Sequence, residues 1–155
     1  MMKNTASAQH QAINTAAPLV ARASISIQAP LARVWALLTG VDAWPRWNSE
    51  IGRAALQGPL APGTAFRWKT GGAAIQSHLH TVEPMAAFGW TGKTFGMYAI
   101  HNWRLEQVGD AVVVHVEESM EGLLARLFKK GFQKNLEKGM AHWLQALKAA
   151  AEAAA

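Results

Sequence analysis

No cysteine occurs in the 155 residues, which excludes disulfides, thiolate metal sites and cysteine nucleophiles. Nothing therefore argues for an oxidising compartment. Charge is also scarce: 16% charged against 50% hydrophobic residues excludes a disordered chain. Long apolar runs are missing, the longest falling far short of the ~20 residues that cross a bilayer, so stable membrane insertion is not expected. No G-x-S-x-G elbow, phosphate-cradling P-loop or G-x-G-x-x-G fingerprint is found, leaving hydrolase, nucleotide and dehydrogenase readings without support. The first 18 residues, rich in Ala, Asn, Gln, Ser and Thr, lack the apolar core of about 7 to 15 residues that a secretory signal requires. They read as a flexible arm on a cytoplasmic protein.

What remains is enough for one domain, and a domain of this size buries roughly 70% of its unfolded surface. The net charge of +5 is concentrated at the C-terminal end, where Arg126, Lys129, Lys130, Lys134, Lys138 and Lys148 face only Glu137 and Glu152. The row Lys130, Lys134 and Lys138 could meet anionic lipid or nucleic acid, but no aromatics interleave with it and the opposite stripe is needed for the core, so it reads as a solvated helix face and nucleic acid is not an expected partner.

Period-two alternation predicts a half-buried strand over 20–28, with Ala21, Ala23, Ile25 and Ile27 on one face. Pro30 opens a short helix carrying Val34, Leu37 and Leu38, which Gly40 stops. Trp44-Pro45-Arg46-Trp47 follows as a second short helix or turn, with Asn48 as a capping residue. Bulky aromatics set this close together need an apolar concavity to fill, and each indole N–H needs a partner.

Six further strands are predicted over 51–57, 64–70, 73–82, 87–93, 98–107 and 111–120, separated by Gly-Pro, Pro-Gly, Gly-Gly, Glu-Pro and Gly-Asp breaks. Alternation turns Phe66, Trp68, Phe88, Trp90, His101, Trp103, Leu105, Val112, Val114, Val116, Glu118 and Met120 inward. A long helix is expected over 122–151, its stripe reading Leu124, Phe128, Phe132, Leu136, Met140, Trp143, Leu144 and Leu147. Gly131 and Gly139 near that stripe leave room for a sheet or a ligand. The order is α+β: a curved seven-stranded antiparallel sheet wrapped around the last helix, with space between them and a mouth near residues 44–48.

The polar residues among the inward set are His101 and Glu118, which burial obliges to bond each other, a water or a ligand. A carboxyl taken out of water favours its neutral form, the usual route to a proton donor near neutral pH. Thr70 and Ser77 are weaker candidates of the same kind. His78 and His80 alternate on one strand, turned outward opposite Ser77, Leu79 and Thr81. They could share a metal, but His115 lies on a distant strand and no third ligand is evident, so neither metal nor cofactor is expected. Glu117 and Glu118 face opposite ways and do not form a glycosidase pair.

Ile27-Gln-Ala-Pro-Leu-Ala-Arg-Val-Trp-Ala-Leu-Leu-Thr39, Trp44-Pro-Arg-Trp-Asn48, Pro62-Gly-Thr-Ala-Phe66, Val82-Glu-Pro84 with Phe88-Gly-Trp90, His101-Asn-Trp-Arg-Leu-Glu106 and Glu117-Glu118 stand in an order that resembles the START-like, or SRPBCC, helix-grip family. The likeness is to its bacterial polyketide cyclase/dehydrase-like members and spans residues 20–150. It implies a helix-grip domain over 19–151 after an arm over 1–18, and a cavity for a hydrophobic ligand. The expected walls are Trp47, Phe66, Trp68, Trp90, Trp103, Phe132 and Met140, with Ser77, His101 and Glu118 as polar contacts. Any one of these aromatics could simply fill the core; seven tryptophans exceed what packing a small sheet requires. The leading expectation is a binding or carrier protein for a small aromatic, lipid-like or polyketide-like molecule. Two alternatives stand beside it: a cyclase/dehydrase-like enzyme using His101 and Glu118 as acid and base, and a co-chaperone-like module presenting an exposed apolar patch. No sequence feature separates an oligomer interface from ordinary surface.

Overall fold

The protein is described here by a computed structural model covering residues 10–153. Strand β1 (Leu19–Ile27) leads into helix α1 (Leu31–Thr39), a 3-10 turn (Val41–Ala43) and helix α2 (Trp44–Trp47). Six strands follow: β2 (Ile51–Leu56), β3 (Ala65–Thr70), β4 (Ala73–Glu83), β5 (Ala87–Thr94), β6 (Met97–Val108) and β7 (Ala111–Glu121). Helices α3 (Leu123–Leu127) and α4 (Lys129–Glu152) close the chain. The strands form one antiparallel sheet in the order β1-β7-β6-β5-β4-β3-β2, so the first strand crosses to pair with the last and the remainder is a meander.

Alternation governs this sheet as expected. Phe66, Phe88, Trp90, Trp103, Val112, Val114 and Val116 are buried on the concave face against Met140, Trp143, Leu144 and Leu147 of α4. Trp44 sits at the centre of this core, its ring centroid 5.0 Å from Trp143, 5.4 Å from Trp90 and 5.6 Å from Phe66. Its indole N–H is satisfied by the Leu38 carbonyl at 3.0 Å. The far end of α4 is fastened by α1, where the Arg33 guanidinium donates to the carbonyls of Ala151, Ala150 and Ala153, satisfying acceptors that a helix end leaves free.

Three features depart from the sequence reading. The helix expected over 122–151 is broken at Phe128, whose φ of −116° and ψ of 37° leave the helical region. The break lets one apolar stripe serve two cores: Leu124, Ala125 and Phe132 pack with Leu19 and Met97, while the rest of α4 faces the main core. Gly122, at φ 128°, makes the approach possible, since a Cβ there would lie 2.5 Å from the Gly96 carbonyl oxygen.

The second departure is a β-bulge between Leu79 and Thr81. His80 and Thr81 consequently share the convex face, where strict alternation had put them on opposite faces, and both are buried.

The third concerns the arm expected over 1–18. Residues 1–9 lie outside the described residues, and the following segment runs across the convex face of the sheet. There Gln11 N–H donates to His80 Nδ1, the Asn102 amide donates to the Gln11 carbonyl, Asn14 N–H donates to Ser119 Oγ, and Ile13 is buried.

Candidate functional site

Open space between α4 and the sheet forms a cleft of about 680 Å³. Its floor follows from register. Ser77 pairs with Gly92 and Gly92 with Ala99, so a row of small side chains crosses the concave face immediately beside the row Leu79, Trp90, His101 and Glu118. Where the sheet carries small residues, α4 is not reached and room is left. The helix contributes Leu136, Gly139, Met140 and Trp143, and a Cβ built on Gly139 meets no atom within 4 Å. Glu50, Thr70, Gly71, Thr94, Asn135 and Lys138 form the rim.

Five of the expected ligand contacts line this cleft: Trp68, Trp90, His101, Glu118 and Met140. The other five do not. Phe66 is fully buried against Trp44. Trp103 is buried behind Trp90 and His101, with Trp143 5.6 Å away. Ser77 is buried with its hydroxyl accepting the Trp68 indole N–H at 3.0 Å, so it fixes that wall from behind. Trp47 packs edge-on to Trp143 at 5.8 Å, and Phe132 belongs to the smaller core with Leu19 and Met97. The mouth also shifts. Residues 44–48 close their end of the molecule, with Asn48 buried and its Oδ1 accepting the Glu50 N–H, and only Glu50 of this neighbourhood borders the opening. Thr70, Leu136, Met120 and Trp143 were legible as inward or polar candidates. Gly92 and Ala99 were missed; their signal was two small residues facing each other across the β5–β6 hairpin.

The polar end of the cleft is a single pair. His101 Nδ1 stands 3.3 Å from Glu118 Oε2 across neighbouring strands, the histidine buried and the carboxylate partly open. His101 Nε2 is buried with no hydrogen-bond partner among the described residues. The ring is held by stacking on Trp90 and Trp103, at centroid distances of 4.4 and 5.3 Å. An apolar chamber with one such pair can seat a flat or acyl body and hydrogen-bond one polar group on it.

The other histidines are arranged differently. His78 is exposed, and His115 contacts Glu106 at 3.2 Å. His80 lies under the arm with burial, aided by His10, pushing its pKa down to about 4. Its Nδ1 also meets Thr81 Oγ1 at 2.7 Å. Among the described residues no group of three His, Asp or Glu is placed to hold a metal.

An open antiparallel sheet gripping a long C-terminal helix, with an apolar cleft between them, defines a helix-grip protein. Residues 18–152 match the family described as polyketide cyclase/dehydrase and lipid transport, and the chain belongs to that family. Solved structures share the fold. A hypothetical protein of Helicobacter pylori superposes with a TM-score of 0.80 at 17% identity, covering 93% of this chain and 98% of that one. A START superfamily protein of Mycobacterium smegmatis gives 0.73 at 13% identity, covering 86% and 97%. The di-domain ARO/CYC protein BexL from the BE-7585A biosynthetic pathway gives 0.72 at 16%, covering 91% of this chain and 53% of that one. At these identities the likeness is one of fold. No curated protein matches the chain. No described helix is long and apolar enough to cross a membrane.

Proposed function

We propose that the protein binds a small, largely apolar aromatic, lipid-like or acyl molecule in the cleft and acts as a carrier or binder in the cytoplasm. The observation that carries this reading is the chamber itself: about 680 Å³, within the range of small-molecule sites, walled by Trp68, Trp90, Met140 and Trp143 and floored by Gly92 and Ala99. His101 and Glu118 orient the ligand's polar end. Family membership supports a hydrophobic ligand.

Titration with 1-anilinonaphthalene-8-sulfonate, followed by tryptophan quenching, tests it. Saturable binding weakened at least about tenfold by Gly139→Leu is the expected result, because the leucine side chain takes up ligand volume. Binding unchanged by Gly139→Leu but lost on substituting exposed apolar residues would overturn it.

A second reading, a cyclase- or dehydrase-like enzyme, is favoured by the contact between His101 and Glu118 inside the cleft. It requires both groups within reach of the substrate. Loss of turnover in Glu118→Gln with ligand affinity retained would select it over the carrier.

A further inference from the structure

Four large apolar side chains stand in solvent at one corner of the molecule: Phe95 (71% exposed), Leu123 (69%), Leu127 (64%) and Phe128 (60%). Other exposed apolar residues, such as Val108, are less open and sit singly on other turns. The grouping is structural. Gly122 presses against the Gly96 carbonyl, which brings the tip of the β5–β6 hairpin beside the start of α3. On α3, Leu124 and Ala125 face inward, leaving Leu123 and Leu127, one turn apart, facing out.

Phe95 is the most telling of the four. It occupies the first position of a two-residue hairpin turn, with φ 45° at Phe95 and 71° at Gly96. That conformation favours Asn-Gly and is strained for a bulky side chain. A phenylalanine here serves neither the turn nor any core of this chain.

The surrounding charge is mostly positive, Glu121 and Glu137 being the acidic residues beside five basic ones. Arg126, Lys129, Lys130, Lys134 and Lys138 are exposed along and after the apolar group, with Glu137 the single acidic residue over 122–138. Arg126, Lys129 and Lys130 directly flank Leu127 and Phe128, where their long stems can lie along a bilayer surface with the charges at headgroup level.

We propose that this corner is a peripheral docking surface for an anionic lipid bilayer, with Phe95, Leu123, Leu127 and Phe128 entering the interface and the basic residues meeting the headgroups. Charge complementarity and apolar protrusion together select an anionic membrane over a neutral one. The cleft reaches the same corner, since Thr94, Met97 and Leu136 line it. The surface stands on its own residues and does not depend on what the cleft holds.

Flotation of the full chain with vesicles tests the proposal. Binding is expected to phosphatidylcholine mixed with phosphatidylserine, and to be much weaker with phosphatidylcholine alone. It should fall in about 1 M salt, where the screening length is about 3 Å. Phe95→Asn should cut binding while keeping thermal stability equal or higher, because asparagine suits the turn. Leu127→Ser/Phe128→Ser and Lys130→Glu/Lys134→Glu should each reduce binding about tenfold or more. Absence of binding to anionic vesicles would overturn the proposal. So would binding that ignores the apolar substitutions, or a concentration-dependent dimer abolished by Leu127→Ser/Phe128→Ser. Tighter binding to a single-stranded oligonucleotide than to anionic vesicles, sensitive only to the lysine substitutions, would assign the surface to nucleic acid instead.

Discussion

His101 lies nearly parallel to Trp90, ring centroids 4.4 Å apart and planes inclined by 17°, at directly paired positions of β6 and β5. The stack sets the orientation of the imidazole and aims its Nδ1 edge at Glu118 on the next strand. A single cross-strand row thus carries both the apolar wall and the polar end of the cleft.

The two polar residues are expected to separate when substituted. His101→Ala removes a buried ring stacked on two indoles and should cost about 2 to 3 kcal/mol, read from urea midpoints. Glu118→Gln keeps the shape at a position open to the cleft and should change stability by less than about 1 kcal/mol. Its effect should fall on ligands: affinity for a hydroxyl-bearing aromatic should drop about tenfold relative to the same molecule without the hydroxyl. Equal losses for both molecules would remove Glu118 from the polar contact.

Gly139 gives the opposite pattern. Glycine inside a helix costs about 1 kcal/mol relative to alanine, and a Cβ at this position meets nothing. Gly139→Ala should therefore raise thermal stability, and Gly139→Leu should leave the fold intact while reducing ligand binding. A destabilised Gly139→Ala would mean that the space above this turn of α4 is not open.

Strand positions and their inward faces follow directly from alternation, and the helix-grip order follows from the sequence of elements. The cleft was harder to locate because its position is set by what is small. Trp44, Phe66 and Trp103 attract attention as aromatics, yet they fill the closed end of the grip, whereas Gly92, Ala99 and Gly139 define the open part. The burial of His80 escaped alternation for a related reason, since one extra residue at the bulge turns His80 and Thr81 to the same side. The arm from His10 onward was not legible because it has no periodic pattern; it is held by single bonds from Gln11 and Asn14 to side chains that the sheet presents. The break at Phe128 was hidden by a stripe that continues in sequence while its two halves serve different cores.

The burial of His80 has a pH consequence. Its pKa is lowered from 6.5 to about 4, chiefly by desolvation and secondly by His10, so the folded state holds the neutral ring while the unfolded chain takes up a proton. The sign is fixed by that difference. Stability is unaffected above about pH 6.5 and declines as pH falls toward 4, by about 2 to 3 kcal/mol in all. Protonated Nδ1 also cannot accept the Gln11 N–H. Urea midpoints across this window should fall less steeply in His80→Gln, and parallel slopes for the two proteins would contradict the assignment.

Arg33 is expected to matter through α4. Its guanidinium satisfies carbonyls at the end of a helix that would otherwise lack donors. Arg33→Ala should lower stability by about 1 to 2 kcal/mol. Arg33→Lys should restore little, because an ammonium lacks the fork that reaches several carbonyls at once. Full recovery with lysine would show that charge alone is at work.

The most direct test of the cleft as the binding site is the set of indole N–H signals from the seven tryptophans, recorded with and without saturating 1-anilinonaphthalene-8-sulfonate. Trp68, Trp90 and Trp143 line the cleft, whereas Trp35, Trp44 and Trp103 do not. Shifts are expected for the first three, together with the amides of Gly92, Ala99 and Gly139, while the indoles of Trp35, Trp44 and Trp103 stay in place; the seventh, Trp47, packs on Trp143 and does not discriminate. Shifts confined to Leu123, Leu127 and Phe128, or none at all, would contradict the cleft as the binding site.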